Sequence, residues 1–487
     1  MPLAFAPWFW WAVAPVALAV AFSLSGRSSP RQALGYGYLF GIGLFGLGVS
    51  WVHVSMMRFG SGGPIVAIGA TVAFVALLAI FPAIALAAAR WLRPRADALS
   101  FLAVLPAAWV LLEWTRTWLF TGFPWLLIGY SQTGTPVGAA IAPVFGVLGA
   151  SWLVALVAGG LGWAFSGASW SRWSGVIGIS AIAWALASGG DDTQWSRPSG
   201  GSLDVALVQG NIDQAAKWQP ENRTEILERY RKLTEPAWEA DLVVWPETAI
   251  PLWYGRVRGA YKAELRERAR ETGTTLILGA PTRDQGRAYN SAFAVGAAPT
   301  YHKRHLVPFG EFVPFRRLSG DLLDVLGAAG SDFSAGNEAV LLPAAGHRAG
   351  VAICYEIAFG AEMAELFPGA EILINISNDA WFGASIGPRQ HLQIARMRAL
   401  EFERYVLRAT NTGLTAIIDP RGRVVVQAPQ FEPMALAGQA IPRTGMTPYA
   451  RWTDTPLLAG LATILGFTFI APLIRRVRAR GCAATRA

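Results

Sequence analysis

The sequence predicts a bundle of membrane-spanning α-helices that carries a layered α/β domain. Three observations predict it. Long apolar runs fill residues 1–200 and return near the C-terminus. Charged residues gather in the middle of the chain. From residue 203 onward, short β-rich runs alternate with polar stretches of helical spacing.

The bundle rests on seven runs, at 3–24, 35–54, 64–89, 98–119, 139–165, 173–188 and 457–474. Crossing a bilayer takes about 20 mainly apolar residues. The sixth run is short, and the fourth carries Glu113 and Arg116 near its end. These two lie three apart on one helical face, which predicts a local ion pair or contact with lipid headgroups. "GIGLFG" (41–46) fits a nucleotide-loop pattern but lies inside a run, where small residues let helices pack closely.

Charge orients the bundle. The net charge of +9 divides into +5 over 1–200, −1 over 201–450 and +5 over 451–487. The central block is nearly neutral, so the basic excess is no footprint for nucleic acid. Arg27, Arg31, Arg90, Arg93, Arg95, Arg172 and the arginines after 474 fall in alternate loops, and the opposite loops hold only Arg58 and Arg116. The positive-inside rule puts the first set in the cytoplasm. Parity puts the 201–450 block outside, along with the N-terminus. No Lys or Arg precedes Arg27, so the first run lacks the charged lead of a signal peptide. The two cysteines, Cys354 and Cys482, then lie in different compartments and cannot pair within the chain.

The predicted domains are a helical bundle over 1–195, an α/β domain over 202–445, a closing membrane helix over 456–474 and a basic cytoplasmic tail over 475–487. "SRPSGG" (196–201) and "PRTGMTPYARWTDTP" (442–456) read as linkers. Strands are predicted at 203–209, 241–247, 274–280, 290–296, 348–356, 371–379, 405–413, 414–422 and 424–427. Helical spacing with many charges runs over 221–238, 257–272 and 388–404.

In α/β sheets, ligands collect at the C-terminal ends of strands. Glu247 ends one strand in "VVWPET", and Cys354 ends another in "AICYE". Lys303 and Glu311 sit in "YHKRHLVPFGEFVP" (301–314), which has no clear periodicity and reads as a loop. A free thiol is only a few per cent thiolate at neutral pH, so a neighbouring base helps it attack a carbonyl. A carboxylate can be that base, and a lysine can hold the developing oxyanion. Together Glu247, Lys303 and Cys354 suit acyl transfer.

"VVWPETAIP", "HKRHLVPFGEFVP" and "AICYEI" resemble the Glu–Lys–Cys triad of the nitrilase (carbon–nitrogen hydrolase) superfamily. The stretch 377–413, "SNDAWFGASIGPRQHLQIARMRALEFERYVLRATNTG", resembles its apolipoprotein N-acyltransferase branch. So do "VSWVHVSMMRFG" (49–60), "EWTRTWLFTGFPWLLIGYSQ" (113–132) and "VQGNIDQAAKW" (208–218). The resemblance implies an αββα sandwich facing the periplasm on an inner-membrane bundle. It implies Glu247 as general base, Lys303 as stabiliser of the transition state and Cys354 as nucleophile. It also implies that Glu311 orients the lysine, and that Tyr355 and Glu356 serve beside the nucleophile. Trp218, Asn290 and Trp381 match residues at the mouth or on mobile loops of the site. The family has eight spans where seven are counted here. "LAFAPWFWW" (3–11) resembles the loop after the family's first span, so either the start is set too far downstream or that helix is lacking.

Each residue also has a plainer reading. Cys354 alone reads as an inert buried side chain. Glu247 and Lys303 read as a structural ion pair, Glu311 as loop support, Glu356 as a structural carboxylate, and Trp218 and Trp381 as core aromatics. His302 and His305 would suit a Cys–His dyad, but the lysine between them fits the resemblance. The five histidines form no HExxH, and neither metal nor cofactor is expected. The implied reaction takes an acyl chain from a phospholipid, through a Cys354 thioester, to the α-amino group of a diacylglyceryl apolipoprotein. A monomer is expected. The competing functions are a membrane-tethered amidase for small amides and a non-catalytic scaffold.

Overall fold

A computed structural model describes residues 1–60, 62–166, 173, 175–178, 181–182, 185, 194–312 and 333–484. Its described residues divide into two compact units. One takes residues before 51, from 71 to 192 and from 452 on; the other takes 51–70 and 193–451.

The helices of the N-terminal half include α1 (Val13–Gly26), α2 (Pro30–Gly48), α3 (Trp51–Phe59), α4 (Gly63–Leu92), α5 (Leu105–Thr115) and α6 (Pro136–Phe165). Among the described residues, α4 and α6 are each long and apolar enough to cross a membrane. A third crossing exists if Pro30–Gly48 and Trp51–Arg58, bent by 54°, form one span. Val13–Gly26, Ser100–Thr115 and Thr455–Ile470 are shorter apolar helices. α4 carries Ile65, Ile68, Val72, Ile80 and Ile84 exposed on one flank, while Leu78, Ala79, Ala83 and Leu86 are buried. A helix apolar all round fits a membrane span, not a surface helix.

Several expected spans change. The run at 3–24 becomes helical only at Val13, after a short turn at Pro2–Ala4 and Phe9 at φ 56°. The run at 98–119 is a five-residue π-turn, Ser100–Val104, leading into α5, which stops at Thr115. Half of the run at 173–188 lies outside the described residues. The closing helix, Thr455–Ala484, continues through most of the stretch expected as a tail.

Local chemistry explains the helix starts. Ser29 and Gln32 cap α2 reciprocally, with Pro30 in its first turn. Thr135 caps α6 through the Gly138 N–H at 3.0 Å. The small residues of α2 do bring helices together: a Cβ on Gly41 would lie 2.6 Å from the Ala79 Cα. Glu113 and Arg116 turn inward. Glu113 accepts the Ile128 N–H at 2.9 Å, and Arg116 donates to the Trp125 carbonyl and sits 5.0 Å over the Phe45 ring. Both thus hold the 119–132 loop to the bundle.

The second unit holds two six-stranded sheets. One runs β12-β11-β10-β9-β8-β7 and the other β13-β2-β3-β4-β5-β6. Their strands are β2 (Leu203–Gln209), β3 (Leu242–Val244), β4 (Thr275–Asp284), β5 (Arg287–Ala294), β6 (Thr300–His302), β7 (Leu341–Ala344), β8 (His347–Ile353), β9 (Ile372–Ser377), β10 (Val406–Thr410), β11 (Ala416–Ile418), β12 (Val424–Gln427) and β13 (Met434–Ala440). Strands β2, β3 and β4 are parallel neighbours, as are β8, β9 and β10.

The two-residue period of a strand builds two cores at once. Val205, Leu207, Leu242, Val244 and Ile277 face Val351, Ile353, Ile374, Ile376 and Leu407 between the sheets. Ala206, Val208, Val243, Leu276 and Leu278 point the other way, against Ile226, Tyr230 and Leu265 of the helices Arg223–Thr234 and Gly259–Thr272. Helix Gly387–Phe402 covers the sheet of β7 to β12, beside β10. The result is the expected αββα sandwich. Both expected linkers contain strand: β1 (Ser196–Pro198) pairs antiparallel with β14 (Arg443–Gly445).

Candidate active site

The candidate residues sit where parallel strands end. β3 runs out into Pro246 and Glu247, β8 into Cys354, and β9 into Asn378 and Asp379. Cys354 has φ 55° and begins a tight turn, Cys354–Ala358. A side chain in this left-handed region is strained, and such strain is held only where its surroundings over-determine it.

Lys303, 1% exposed, lies between two carboxylates. Its Nζ is 2.8 Å from Glu311 Oε2 and 3.8 Å from Glu247 Oε1. Burial lowers its basicity, but Glu311 and Glu247 outweigh burial and hold it above the ordinary lysine value. It therefore remains an ammonium. Burial and the Glu247 charge push the Cys354 thiol up, and Lys303 only partly offsets them. The resting group is a thiol.

Asn290 joins the carboxylates. Its Nδ2 donates to Glu247 Oε1 at 2.7 Å and to Glu311 Oε1 at 3.0 Å. It lies in β5, opposite Pro281 of β4, and is 2% exposed. That corrects the expected mouth position: its strand carries it into the interior. Glu247 Oε2 accepts the Asn378 N–H at 2.9 Å, and Glu311 Oε2 accepts the Val307 N–H at 2.8 Å.

Glu356 ties the lysine segment to the cysteine strand. It accepts from Tyr301 Oη (2.8 Å), Arg304 N (2.6 Å), His305 N (3.1 Å) and Ile353 N (2.6 Å). Tyr355 is half-buried and packs edge-on to Phe359 at 5.0 Å. Trp218 is 43% exposed, so it is not a core aromatic. Trp381 is half-buried on the turn Ala380–Phe382, and its carbonyl accepts from Ser55 Oγ at 2.7 Å. His302 turns to Ser291 and stacks on Tyr289, while His305 pairs with Glu362 and stacks on Phe359.

Comparison with known proteins fits this geometry. Residues 204–450 match the carbon-nitrogen hydrolase family, and residues 1–160 match the apolipoprotein N-acyltransferase N-terminal domain. An apolipoprotein N-acyltransferase of Methylococcus capsulatus is 46% identical, over 96% of this chain and 94% of its own. Those of Nitrosomonas europaea and Pseudomonas syringae pv. tomato are 42% and 40% identical, over 95% and 97% of this chain and 93% and 95% of theirs. The chain belongs to the apolipoprotein N-acyltransferase family.

Around Glu247, Lys303 and Cys354 of this family member stand residues that sequence reasoning passed over. Lys217, fully buried, donates from Nζ to the Glu247 carbonyl at 3.3 Å. Burial pulls it down to about 8 against the Glu247 charge. Asn378 bonds Gln214 at 2.6 Å and Asn411 at 2.8 Å. Helix Gly387–Phe402 buries Gln390, His391, Gln393, Arg398 and Glu401. Nothing in the sequence marked them, since polar residues at helical spacing ordinarily face solvent.

Proposed function

We propose that this chain, a multi-pass protein of a bacterial inner membrane, transfers an acyl group from a phospholipid to the α-amino group of the N-terminal diacylglyceryl-cysteine of apolipoproteins. As a member of its family it is an acyltransferase. The observation that carries the chemistry is the buried Lys303 ammonium between Glu311 and Glu247, whose positive charge favours the ionised form of the Cys354 thiol.

In the first half-reaction Glu247 takes the thiol proton as Cys354 Sγ bonds to the ester carbonyl carbon. The tetrahedral oxyanion forms against Lys303, whose charge is in place before reaction. The C–O bond breaks, the lysophospholipid oxygen takes the proton from Glu247, and a thioester remains. In the second, the acceptor amine attacks the thioester, Glu247 takes a proton from that amine, and the thiolate leaves and is reprotonated. Glu311 and Asn290 position Lys303 and Glu247. The arginine distribution supports a periplasmic catalytic domain and a cytoplasmic C-terminus.

Intact mass spectrometry of the purified protein after incubation with phospholipid tests this. The expected result is one acyl adduct that is absent from C354A and discharged by a synthetic diacylglyceryl-cysteine peptide. Turnover of small soluble amides without any lipid adduct would instead identify a tethered amidase.

A further inference from the structure

Beneath Cys354 lies a buried polar cluster that the reaction above does not use. His391, 0% exposed, places Nε2 3.2 Å from the Cys354 carbonyl and Nδ1 2.9 Å from Asp379 Oδ1. Asp379 Oδ2 accepts from Arg408 Nη2 at 2.6 Å, and its Oδ1 accepts from Ser377 Oγ at 2.7 Å. Arg408 Nη2 is also 3.0 Å from His391 Nδ1. Asn375 adds a weaker donor to the same Cys354 carbonyl, at 3.4 Å. A carbonyl can only accept, so Nε2 carries a proton whichever partner Nδ1 takes.

We propose that Asp379, His391 and Arg408 form a positioning network for the nucleophile, in which His391 pins the Cys354 carbonyl and so holds the cysteine in its left-handed conformation. It rests on the acyl-transfer reading above, and it adds residues that set the geometry of the thiol without touching substrate.

Three independent features support it. Left-handed backbone at a cysteine is costly and needs fixed partners. The His391 bond is such a partner, aimed at the one carbonyl that must rotate if φ reverts. The peptide linking Cys354 to Tyr355 is planar, so fixing its carbonyl also fixes the opposed N–H of Tyr355. Second, the cluster is itself over-determined. Asp379 has φ 52°, and a Cβ on Gly413 would lie 2.3 Å from Asp379 Oδ2, so the chain leaves room for this carboxylate. Third, its charges are balanced and dry. Burial opposes ionisation of Asp379, but the Arg408 guanidinium outweighs it and holds the carboxyl well below its usual range. Burial and Arg408 hold the His391 imidazole below its ordinary value.

The test compares wild type, H391M and H391Q as full-length protein in micelles containing dioleoyl phosphatidylethanolamine. Methionine keeps volume and removes the donor; glutamine restores an N–H near the Nε2 position. The readout is single-turnover acylation of Cys354 by intact mass, at several lipid concentrations. Loss of placement without loss of lipid binding should slow H391M by about 10²-fold at unchanged half-saturation. H391Q should recover most of that loss. Wild-type acylation rates in folded H391M overturn the proposal, as does an H391Q as slow as H391M. A second arm needs neither a folded His391 variant nor an acyl donor. The ¹⁵N spectrum of histidine-labelled wild type, assigned by substituting the other four histidines in turn, should show His391 Nε2 protonated. A bare Nε2 would exclude the bond to the carbonyl. If wild type takes no acyl group, the acyl-transfer reading fails, while the nitrogen spectrum still decides the network.

Discussion

At the scale of single residues, the carboxylates beside Lys303 differ in their partners. Glu247 accepts from Asn290 and the Asn378 N–H; Glu311 accepts from Asn290, the Val307 N–H and Lys303 at 2.8 Å. Every partner is a donor, so glutamine at either site sets an amide N–H against a donor. Fold must therefore be checked in both variants. With fold intact, E247Q loses the proton acceptor, and acyl-enzyme formation should fall by about 10²–10⁴-fold. E311Q loosens the lysine but keeps the base, so its loss should be smaller. Single-turnover acylation separates them; equal loss at every pH would mean that the two glutamates act as one coupled unit. Lys217 gives a pH signature of its own. Its folded value is about 8 against an ordinary 10.5. Between those pH values the unfolded chain binds more protons, so stability rises with pH across that window. Below pH 8 both states are charged, and the burial penalty, about 3 kcal/mol, is fully present. K217M has no such penalty. Its thermal midpoint relative to wild type should drop as pH rises from 8 to 10.5, and a gap that does not move with pH would rule out a charged buried lysine.

At the scale of elements, what was legible followed from periodicity. β2 and the cores on its two faces were readable because Leu203–Gln209 is apolar on both sides, as a central strand must be. Glu247 and Cys354 were readable because each follows such a strand. The elements that were missed are those whose burial comes from partners distant in sequence. β6 is three residues long and exists by pairing with β5. β13 mixes small and polar residues and is held by seven register pairs to β2, more than 200 positions away. β1 and β14 lie in Pro- and Gly-rich stretches and stabilise each other. His391 was hidden for a related reason. A charged helix normally reads as a solvated face, and nothing local says that this one is buried on all sides. α3 was read as the end of a span, yet it clusters with the α/β unit. Trp51 Nε1 bonds Gln390 at 3.2 Å and its ring meets Phe382 edge-on at 4.7 Å, so the α3 tryptophan contacts the helix that carries His391.

At the scale of the whole molecule, the remaining question is which side of the membrane the catalytic domain occupies. Arginines after the first, third and fifth runs and after 474 outnumber those in the opposite loops, and the bias orients helices through charge retained on the cytoplasmic side. A domain between two spans must begin and end on one side. The β1–β14 ribbon meets that need: Ser196 pairs with Gly445 and Pro198 with Arg443, so the chain enters and leaves the domain at one edge. The ribbon also dictates where a reporter goes. Insertion within 196–198 would break the pairing, whereas Gly200 and Gly201 are exposed and follow the strand. An alkaline phosphatase inserted between those glycines should be active, because its disulfides form only in an oxidising compartment. Green fluorescent protein fused after Arg478 should fluoresce, as expected for a cytoplasmic end. Both reporters must be read in the same cells, with phospholipid-dependent acylation of Cys354 retained as proof of native insertion. An inactive phosphatase beside a dark C-terminal fusion, in protein that still acylates, would put the catalytic domain in the cytoplasm and reverse the orientation derived from the arginines.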